Sequence, residues 1–167
     1  IFYDGVYHGD MHQGNLIFIK DENSEPQYKV AAIDYGIMGS LTREEQNYFY
    51  EFIRLATNDE ILEAAKLMLN RITEPKSILN SLSKIDELQL QSDVSKLINE
   101  AFIKNNKITP HDIYLISKVL NKKKLKLARY FCKVQLAYMI NEGVCTSLST
   151  DKPFMQFIKE IIQANFD

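Results

Sequence analysis

The sequence contains few of the residues that mark fibrous, disulfide-rich or membrane-spanning chains. Its 167 residues include only six glycines and four prolines, which excludes a collagen-like or low-complexity chain. No apolar run approaches the roughly 20 residues that a membrane-spanning helix needs. The formal net charge is −2, so overall charge gives no electrostatic reason to expect nucleic acid as a partner.

Cysteine is also scarce, since Cys132 and Cys145 are the only two. Their surroundings are apolar or small and their spacing is not that of metal ligands, so we expect two buried free thiols in a reducing compartment. The hydrophobic content is 46%, which is enough to form the buried core of one domain. Because the first residue is Ile rather than Met, we expect this single domain, residues 1–167, to be a piece of a longer polypeptide.

The first 36 residues have the pattern of short extended segments and turns. Apolar residues at 16–19 and 28–33 flank a polar loop that contains a proline, at 20–27. Two apolar runs separated by such a loop predict a β-hairpin.

The remainder of the chain has the periodicity of helices. Thr42, with Glu45 three residues later, forms a capping box that predicts a helix start. Thr109–Pro110 predicts a second start, and the apolar pattern continues from there to near Gly143, which predicts one long helix. A last amphipathic helix is expected at about 153–164. The predicted fold is α+β and predominantly helical, with a small hairpin followed by a helical bundle.

The residues that carry chemistry are His8-Gly9-Asp10-Met11-His12-Gln13-Gly14-Asn15 and, after the hairpin, Asp34-Tyr35-Gly36. Phosphoryl transfer needs a carboxylate that orients or deprotonates the nucleophile and two oxygen ligands for the Mg²⁺ that bridges the nucleotide phosphates. Asp10 can supply the first, and Asn15 with Asp34 the second. His8, Asp10 and Asn15 keep the offsets of the kinase catalytic loop, and Asp-Tyr-Gly stands where kinases place Asp-Phe-Gly. The two linked matches predict a kinase-like site.

Two other interpretations of these residues stay open. Asp and Asn beside Gly are common turn formers, and one short match alone is more often a loop than a site. His8, Asp10 and His12 form a candidate metal site, although only His111 remains among the histidines to extend it.

Both motifs resemble those of the UbiB family of atypical kinase-like proteins, which is tied to coenzyme Q (ubiquinone) biosynthesis. That family shows an H-x-D-x-H-x-G-N loop, then I-D-F-G, a further Gly and a Leu-Ser/Thr helix start. The corresponding segments here are His8–Asn15 and Ile33–Thr42. The similarity is strongest over about residues 5–70 and fainter through the later helices.

The loop departs from the family at Gly9, Met11 and Gln13, where Ala, Pro and Pro are usual, and Tyr35 replaces Phe. By itself the loop equally resembles that of aminoglycoside and choline phosphotransferases. Those enzymes usually follow with Asp-Trp or Asp-Phe and an acidic residue. A small-molecule phosphotransferase is therefore the alternative function.

The resemblance implies ATP and magnesium as cofactors and a kinase or ATPase activity that handles a lipid or quinone precursor. It implies that His8 braces the loop and that His12, at the position of the catalytic-loop lysine of protein kinases, contacts phosphate. Thr42 follows Gly36 so closely that no activation segment with an A-P-E motif fits between them, so protein phosphorylation is not expected. The implied location is the bacterial cytoplasm or the mitochondrial matrix side, peripheral to the inner membrane.

The 167 residues hold no glycine- or alanine-rich phosphate loop, no V-A-I-K-type lysine and no lysine-glutamine motif of the family. In kinase-like proteins these three features lie in the N-terminal lobe, which precedes the catalytic loop. We therefore expect this chain to be the C-terminal lobe of a kinase-like fold, to need the missing lobe as its partner, and to bind nucleotide weakly and be inactive alone.

Seven cations between Lys118 and Lys133 lie on the predicted long helix. A basic helix can dock on anionic lipid, at about 1 kcal/mol per cation near the surface. The simpler interpretation is a solvated helix face. Two non-enzymatic interpretations also stay open: an inert remnant of a split reading frame, and a lipid-binding or scaffolding module that works through this helix.

Overall fold

The computed structural model describes residues 1–23, 25, 27–105, 108–148 and 152–166. The fold is α+β and predominantly helical, as predicted. The strands in these residues are β1 Val6–His8, β2 Leu16–Lys20, β3 Tyr28–Ala32, β4 Met38–Ser40, β5 Thr73–Glu74 and β6 Lys126–Leu127. The α-helices are α1 Arg43–Thr57, α2 Ile61–Leu67, α3 Lys76–Asn80, α4 Lys84–Asn99, α5 Pro110–Asn121, α6 Arg129–Leu148 and α7 Phe154–Phe166.

The predicted hairpin is confirmed by β2 and β3. They pair antiparallel in a continuous register from Leu16 opposite Ala32 to Lys20 opposite Tyr28. Ser24 and Pro26 of the predicted loop lie outside the described residues.

A second antiparallel pair, β1 with β4, was not predicted. Tyr7 lies opposite Gly39, and a Cβ at Gly39 would be 2.2 Å from the Cζ atom of the Tyr7 ring. A side chain at residue 39 would therefore displace the Tyr7 ring. The pairing returns the segment after the hairpin to the end of β1, where the loop with Asp10 begins.

Both predicted helix starts are confirmed. The Thr42 side chain accepts a hydrogen bond from the Glu45 N–H at 3.2 Å, and the Thr42 N–H donates to the Glu45 carboxylate at 2.8 Å. Thr109 makes the same reciprocal pair with Asp112, and Pro110 takes the first helical position. Each pair supplies partners for N–H groups that a helix N-terminus leaves without intrahelical partners.

The prediction of one long helix from Thr109 to Gly143 is wrong. The helix stops at Asn121, Lys124 takes a left-handed conformation with φ of 58°, and α6 begins only at Arg129. Between them, β6 pairs with β5, and Leu125 and Leu127 are buried in the connection rather than on a helix face. These two leucines fill the core without helical structure, so their apolar character alone does not indicate a helix.

The basic run is therefore divided among α5, the connection and α6, and it forms no single helix face. One of its members, Lys123, is engaged elsewhere, since its ammonium group lies 2.5 Å from the Asp86 carboxylate on α4. The prediction of one basic helix is thus wrong, since these cations lie on two helices and the connection between them.

The core lies where α1 meets the later helices. The Phe52 ring, 2% exposed, meets the edges of Phe102 at 5.7 Å and Phe131 at 5.5 Å between ring centroids. Burying a ring of this size contributes about 1.5–3 kcal/mol. The last helix is also found as predicted, and Lys159 on α7 donates to the Thr57 carbonyl oxygen at the end of α1, at 3.0 Å.

The two cysteines are free thiols, but they are not buried as predicted: Cys132 is exposed and Cys145 is half-buried. Both lie on α6. In the described part of the chain, no helix combines the length and the apolar character that crossing a bilayer requires.

Candidate catalytic loop and acidic turn

His8 connects the two predicted halves of the site. Its Nδ1 accepts a hydrogen bond from the Asp10 backbone N–H at 3.1 Å, so the ring proton is on Nε2. Nε2 donates to the Asp34 carbonyl oxygen at 2.5 Å. The ring is buried, at 9% exposed. It therefore holds the loop that carries Asp10 against the turn that carries Asp34.

Asn15 closes the same loop from the other end. Gln13–Asn15 form a single 3₁₀ turn, capped by His12, whose Nδ1 accepts from the Gly14 N–H at 3.1 Å. The buried Asn15 side chain donates from Nδ2 to the Asp10 carbonyl oxygen at 2.9 Å. Since the amide nitrogen is used there, Oδ1 is the atom that this side chain can offer to a cation.

Asp34 lies in the turn between β3 and β4. Its Oδ1 accepts from the Gly36 N–H at 2.7 Å, which fixes the side chain and leaves Oδ2 as the oxygen for a further ligand. Two backbone hydrogen bonds hold this turn to the loop. The Ile33 N–H donates to the Asn15 carbonyl oxygen at 3.1 Å, and the Gly9 N–H donates to the Ile37 carbonyl oxygen at 2.7 Å.

The structure thus joins Asp10, Asn15 and Asp34 in one hydrogen-bonded network, with His8 at its centre. The groups that hold the network together, the His8 ring and the Asn15 amide, are buried. The carboxylate of Asp10 and the ring of His12 are about half exposed, and Oδ2 of Asp10 lies 4.0 Å from Nε2 of His12. Buried polar groups therefore position the exposed Asp10 carboxylate and His12 ring, as a preorganised binding site requires.

The candidate metal site formed by His8, Asp10 and His12 is not assembled. Among the described residues, no three His, Cys, Asp or Glu side chains lie close enough together to hold a metal ion. Both nitrogens of the His8 ring are used in hydrogen bonds of its own. A magnesium ion bound with a nucleotide needs fewer protein ligands than such a site provides. It takes only one or two protein oxygens and completes its coordination shell with water and phosphate.

Three contacts that position the loop were missed by sequence reasoning. The bonds from Gly9 to Ile37 and from Ile33 to Asn15 depend on pairings between segments distant in the chain. In the third, the Gln13 amide donates to the hydroxyl of Ser147 near the end of α6, at 2.6 Å. Local sequence patterns predict none of these three contacts. The only related feature is that Ile33 and Ile37 flank the acidic turn.

Comparison with known proteins decides which family the site resembles. Residues 1–68 match the ABC1 atypical kinase-like domain. This ABC1 segment, residues 1–68, runs from before β1 through α2 and includes every predicted site residue. The predicted resemblance to UbiB is confirmed over it.

The curated relatives of the ABC1 segment carry the name "Probable protein kinase UbiB". The protein from Cronobacter sakazakii is 43% identical over 60 residues, which is 35% of this chain and 11% of that protein. The protein from Sodalis glossinidius is 43% identical over 67 residues, 40% of this chain and 12% of the relative. That of Shewanella halifaxensis is 33% identical over 69 residues, 41% of this chain and 12% of the relative.

The chain matches only 11–12% of the length of these relatives. Helices α3 to α7 lie beyond the ABC1 segment. No solved structure shows significant similarity to the chain.

Proposed function

We propose that this chain is the C-terminal lobe of a UbiB-type atypical kinase or ATPase and supplies its catalytic loop and magnesium ligands. The observation that carries the proposal is the hydrogen-bonded network of Asp10, Asn15 and Asp34 within the segment that matches the ABC1 domain. The link to ubiquinone biosynthesis rests on the resemblance to the UbiB family.

The donor set fits a magnesium–nucleotide complex. Oδ1 of Asn15 and Oδ2 of Asp34 are both oxygens, the ligands that this hard cation prefers. Each is the atom left over after the rest of its side chain has been fixed by a hydrogen bond. Bound magnesium would neutralise charge that develops on the β- and γ-phosphates during transfer.

Asp10 is the candidate base. Its backbone N–H and carbonyl are used by His8 and Asn15, whereas its carboxylate stays exposed beside His12. In this role the carboxylate takes the proton of an attacking hydroxyl or water, as the oxygen–phosphorus bond forms and the bond from the γ-phosphorus to the ADP oxygen breaks. His12 would contact phosphate, and His8 acts as a positioning residue.

The acceptor we propose is a small molecule, a lipid or quinone precursor, or water. A peptide is disfavoured because β4 ends at Ser40 and α1 begins at Arg43, which leaves no segment on which a peptide could lie. Anionic lipid stays a proposed partner of the basic surface on α5 and α6. The full-length protein would supply the missing phosphate loop and lysine, so the isolated chain is expected to bind nucleotide weakly.

Isothermal calorimetry of Mg²⁺-dependent ATP binding tests the proposal. The samples are this chain and the full-length protein that contains it, each as the unmodified form and as two variants. Asp34→Asn removes the proposed ligand charge. Asp59→Asn makes the same change at an exposed turn after α1, where a positive φ of 65° suits asparagine equally.

We expect binding by the full-length protein, unchanged in Asp59→Asn and lost in Asp34→Asn, with weak binding by the isolated chain. Equal binding by the two variants would contradict the assignment of Asp34. No ATP binding by the full-length protein would contradict the proposed nucleotide site.

A further inference from the structure

Gln13 joins the loop to a helix that lies beyond the ABC1 segment. Its side-chain amide donates to the hydroxyl of Ser147, near the end of α6 and 134 residues further along the chain, at 2.6 Å. That hydroxyl donates its own hydrogen to the Val144 carbonyl oxygen at 2.7 Å, which leaves a lone pair of the oxygen to accept from Gln13. The helix therefore presents a fixed acceptor to the loop.

This contact connects the middle of the loop to another element. In the described part of the chain, the other hydrogen bonds of residues 11–14 all stay within residues 10–16. His8 and Asn15 fasten the two ends of the loop. A single 3₁₀ turn has poor hydrogen-bond geometry and little stability of its own. Without the bond to α6, the turn in the loop would be held only by these local hydrogen bonds.

The turn affects the proposed site because it orients His12. The Gly14 N–H donates to Nδ1 of His12 at 3.1 Å, so the neutral ring carries its proton on Nε2. That nitrogen lies 4.0 Å from Oδ2 of Asp10, and it is the donor that a phosphate would meet. A turn that loosens at Gln13 would let the ring move away from Asp10.

We propose that Ser147 is a positioning residue for the catalytic loop, because through Gln13 it holds the 3₁₀ turn in the conformation that orients His12. The effect on catalysis rests on the proposed function, whereas the hydrogen bond to α6 is a property of the fold. Since α6 lies beyond the ABC1 segment, this contact makes one of the later helices part of the working site.

The backbone of the turn allows the bond to Ser147 to be replaced by a restraint within the loop. Gln13 takes the first position of the 3₁₀ turn, and His12 before it is extended, with φ of −81° and ψ of 167°. Proline favours an extended residue before it and fixes its own φ near about −65°, a helical value. In Gln13→Pro the ring therefore fixes the turn directly, and the amide that reaches Ser147 is gone.

The test compares five forms of the full-length protein: unmodified, Ser147→Ala, Ser147→Thr, Gln13→Pro, and Gln13→Pro combined with Ser147→Ala. Thr146→Ala, which removes a neighbouring exposed hydroxyl from the same helix, is the matched control. Hydrogen exchange of the peptide that covers the loop, followed by mass spectrometry, measures how often the loop opens. ATP turnover measures its chemistry, and the urea midpoint measures the stability of the fold.

We expect Ser147→Ala to raise loop exchange and to lower kcat by about 2–10-fold, the range that corresponds to one hydrogen bond between neutral groups. Ser147→Thr keeps the hydroxyl and should restore both values, and Thr146→Ala should change neither. In the Gln13→Pro background, Ser147→Ala should have no effect, because the turn no longer depends on the helix. The urea midpoint should not fall in Ser147→Ala, since alanine has a higher helix propensity than serine.

Three results would overturn the inference. The first is loop exchange or turnover that is the same in Ser147→Ala and in the unmodified protein. The second is an equal effect of Ser147→Ala with and without Gln13→Pro. The third is a lower urea midpoint in Ser147→Ala, which would assign the hydroxyl to the stability of α6. If the full-length protein turns over no ATP, the proposed function fails, and loop exchange alone decides whether Ser147 holds the turn.

Discussion

Gly5 and Gly143 are expected to respond in opposite directions to the same substitution by alanine. Gly5 has a φ of 67°, and an alanine held in the left-handed region costs about 1–2 kcal/mol. A Cβ at Gly5 would also lie 2.9 Å from the Leu41 carbonyl oxygen, so the backbone must shift. That shift disturbs the hydrogen bond from the Leu41 N–H to the Gly5 carbonyl oxygen, 2.7 Å long. Gly5→Ala therefore lowers the free energy of unfolding by at least the cost of the conformation.

Gly143 is the matched control because it lies exposed within α6, where a Cβ would meet no atom within 4 Å. Alanine has a higher helix propensity than glycine by about 1 kcal/mol, so Gly143→Ala raises the free energy of unfolding by about that amount. The two variants should differ by about 2–3 kcal/mol.

Urea unfolding and thermal unfolding, both followed by far-UV circular dichroism, measure the two changes. For a chain of this length 1 kcal/mol moves the thermal midpoint by about 2–4 °C, so the two variants should melt roughly 4–12 °C apart. A Gly5→Ala variant as stable as the unmodified chain would refute the left-handed conformation at residue 5.

Three further substitutions test the packing and the charge pairs. Thr42→Ala removes the cap of α1 and should cost about 1 kcal/mol in urea unfolding; an unchanged midpoint would contradict the capping box. Phe52→Ala should cost about 3–5 kcal/mol, and a loss below 1 kcal/mol would mean that this ring is not at the centre of the core. The Arg54 guanidinium, through its hydrogen bond, holds the pKa of the Glu51 carboxyl below its ordinary value of 4.5. The stabilisation from this pair is present above pH 4.5 and is lost as the pH falls further. The difference in free energy of unfolding between the unmodified chain and Glu51→Gln should therefore disappear in acid. A difference that stays constant with pH would contradict the lowered pKa of Glu51.

Features of the fold that depend on neighbouring residues could be predicted from the sequence. The hairpin follows from two apolar runs around a polar loop, and the starts of α1 and α5 follow from threonine caps paired with an acidic residue three positions later. In each case the decisive contacts join residues close in sequence, so the pattern itself carries the information.

Features that depend on distant segments could not be predicted. The break after Asn121 requires Lys124 in a left-handed conformation and a pairing of β6 with β5, neither of which a basic, apolar-periodic stretch indicates. The pairing of β1 with β4 joins strands of three residues, too short to give a periodic signal. It determines how the two halves of the site meet.

The site residues were identified from motif spacing, but their arrangement was not. Spacing alone selected His8, Asp10, Asn15 and Asp34, whereas the structure gives the direction of each hydrogen bond among them. The catalytic and ligand roles of these residues stay predictions. The hydrogen bonds show which atoms of these side chains are already engaged.

The central claim is that the Asp10 carboxylate performs the chemistry while the backbone of Asp10 holds the loop. The most direct test is ATP turnover by the full-length protein with Asp10→Asn, which keeps both backbone hydrogen bonds. Asp4→Asn, at an exposed position before β1, is the matched control. Loss of a general base typically costs 10²–10⁴-fold, so we predict at least a hundredfold fall in turnover for Asp10→Asn, with ATP binding retained and the control unchanged. Equal turnover by the two variants would contradict the account.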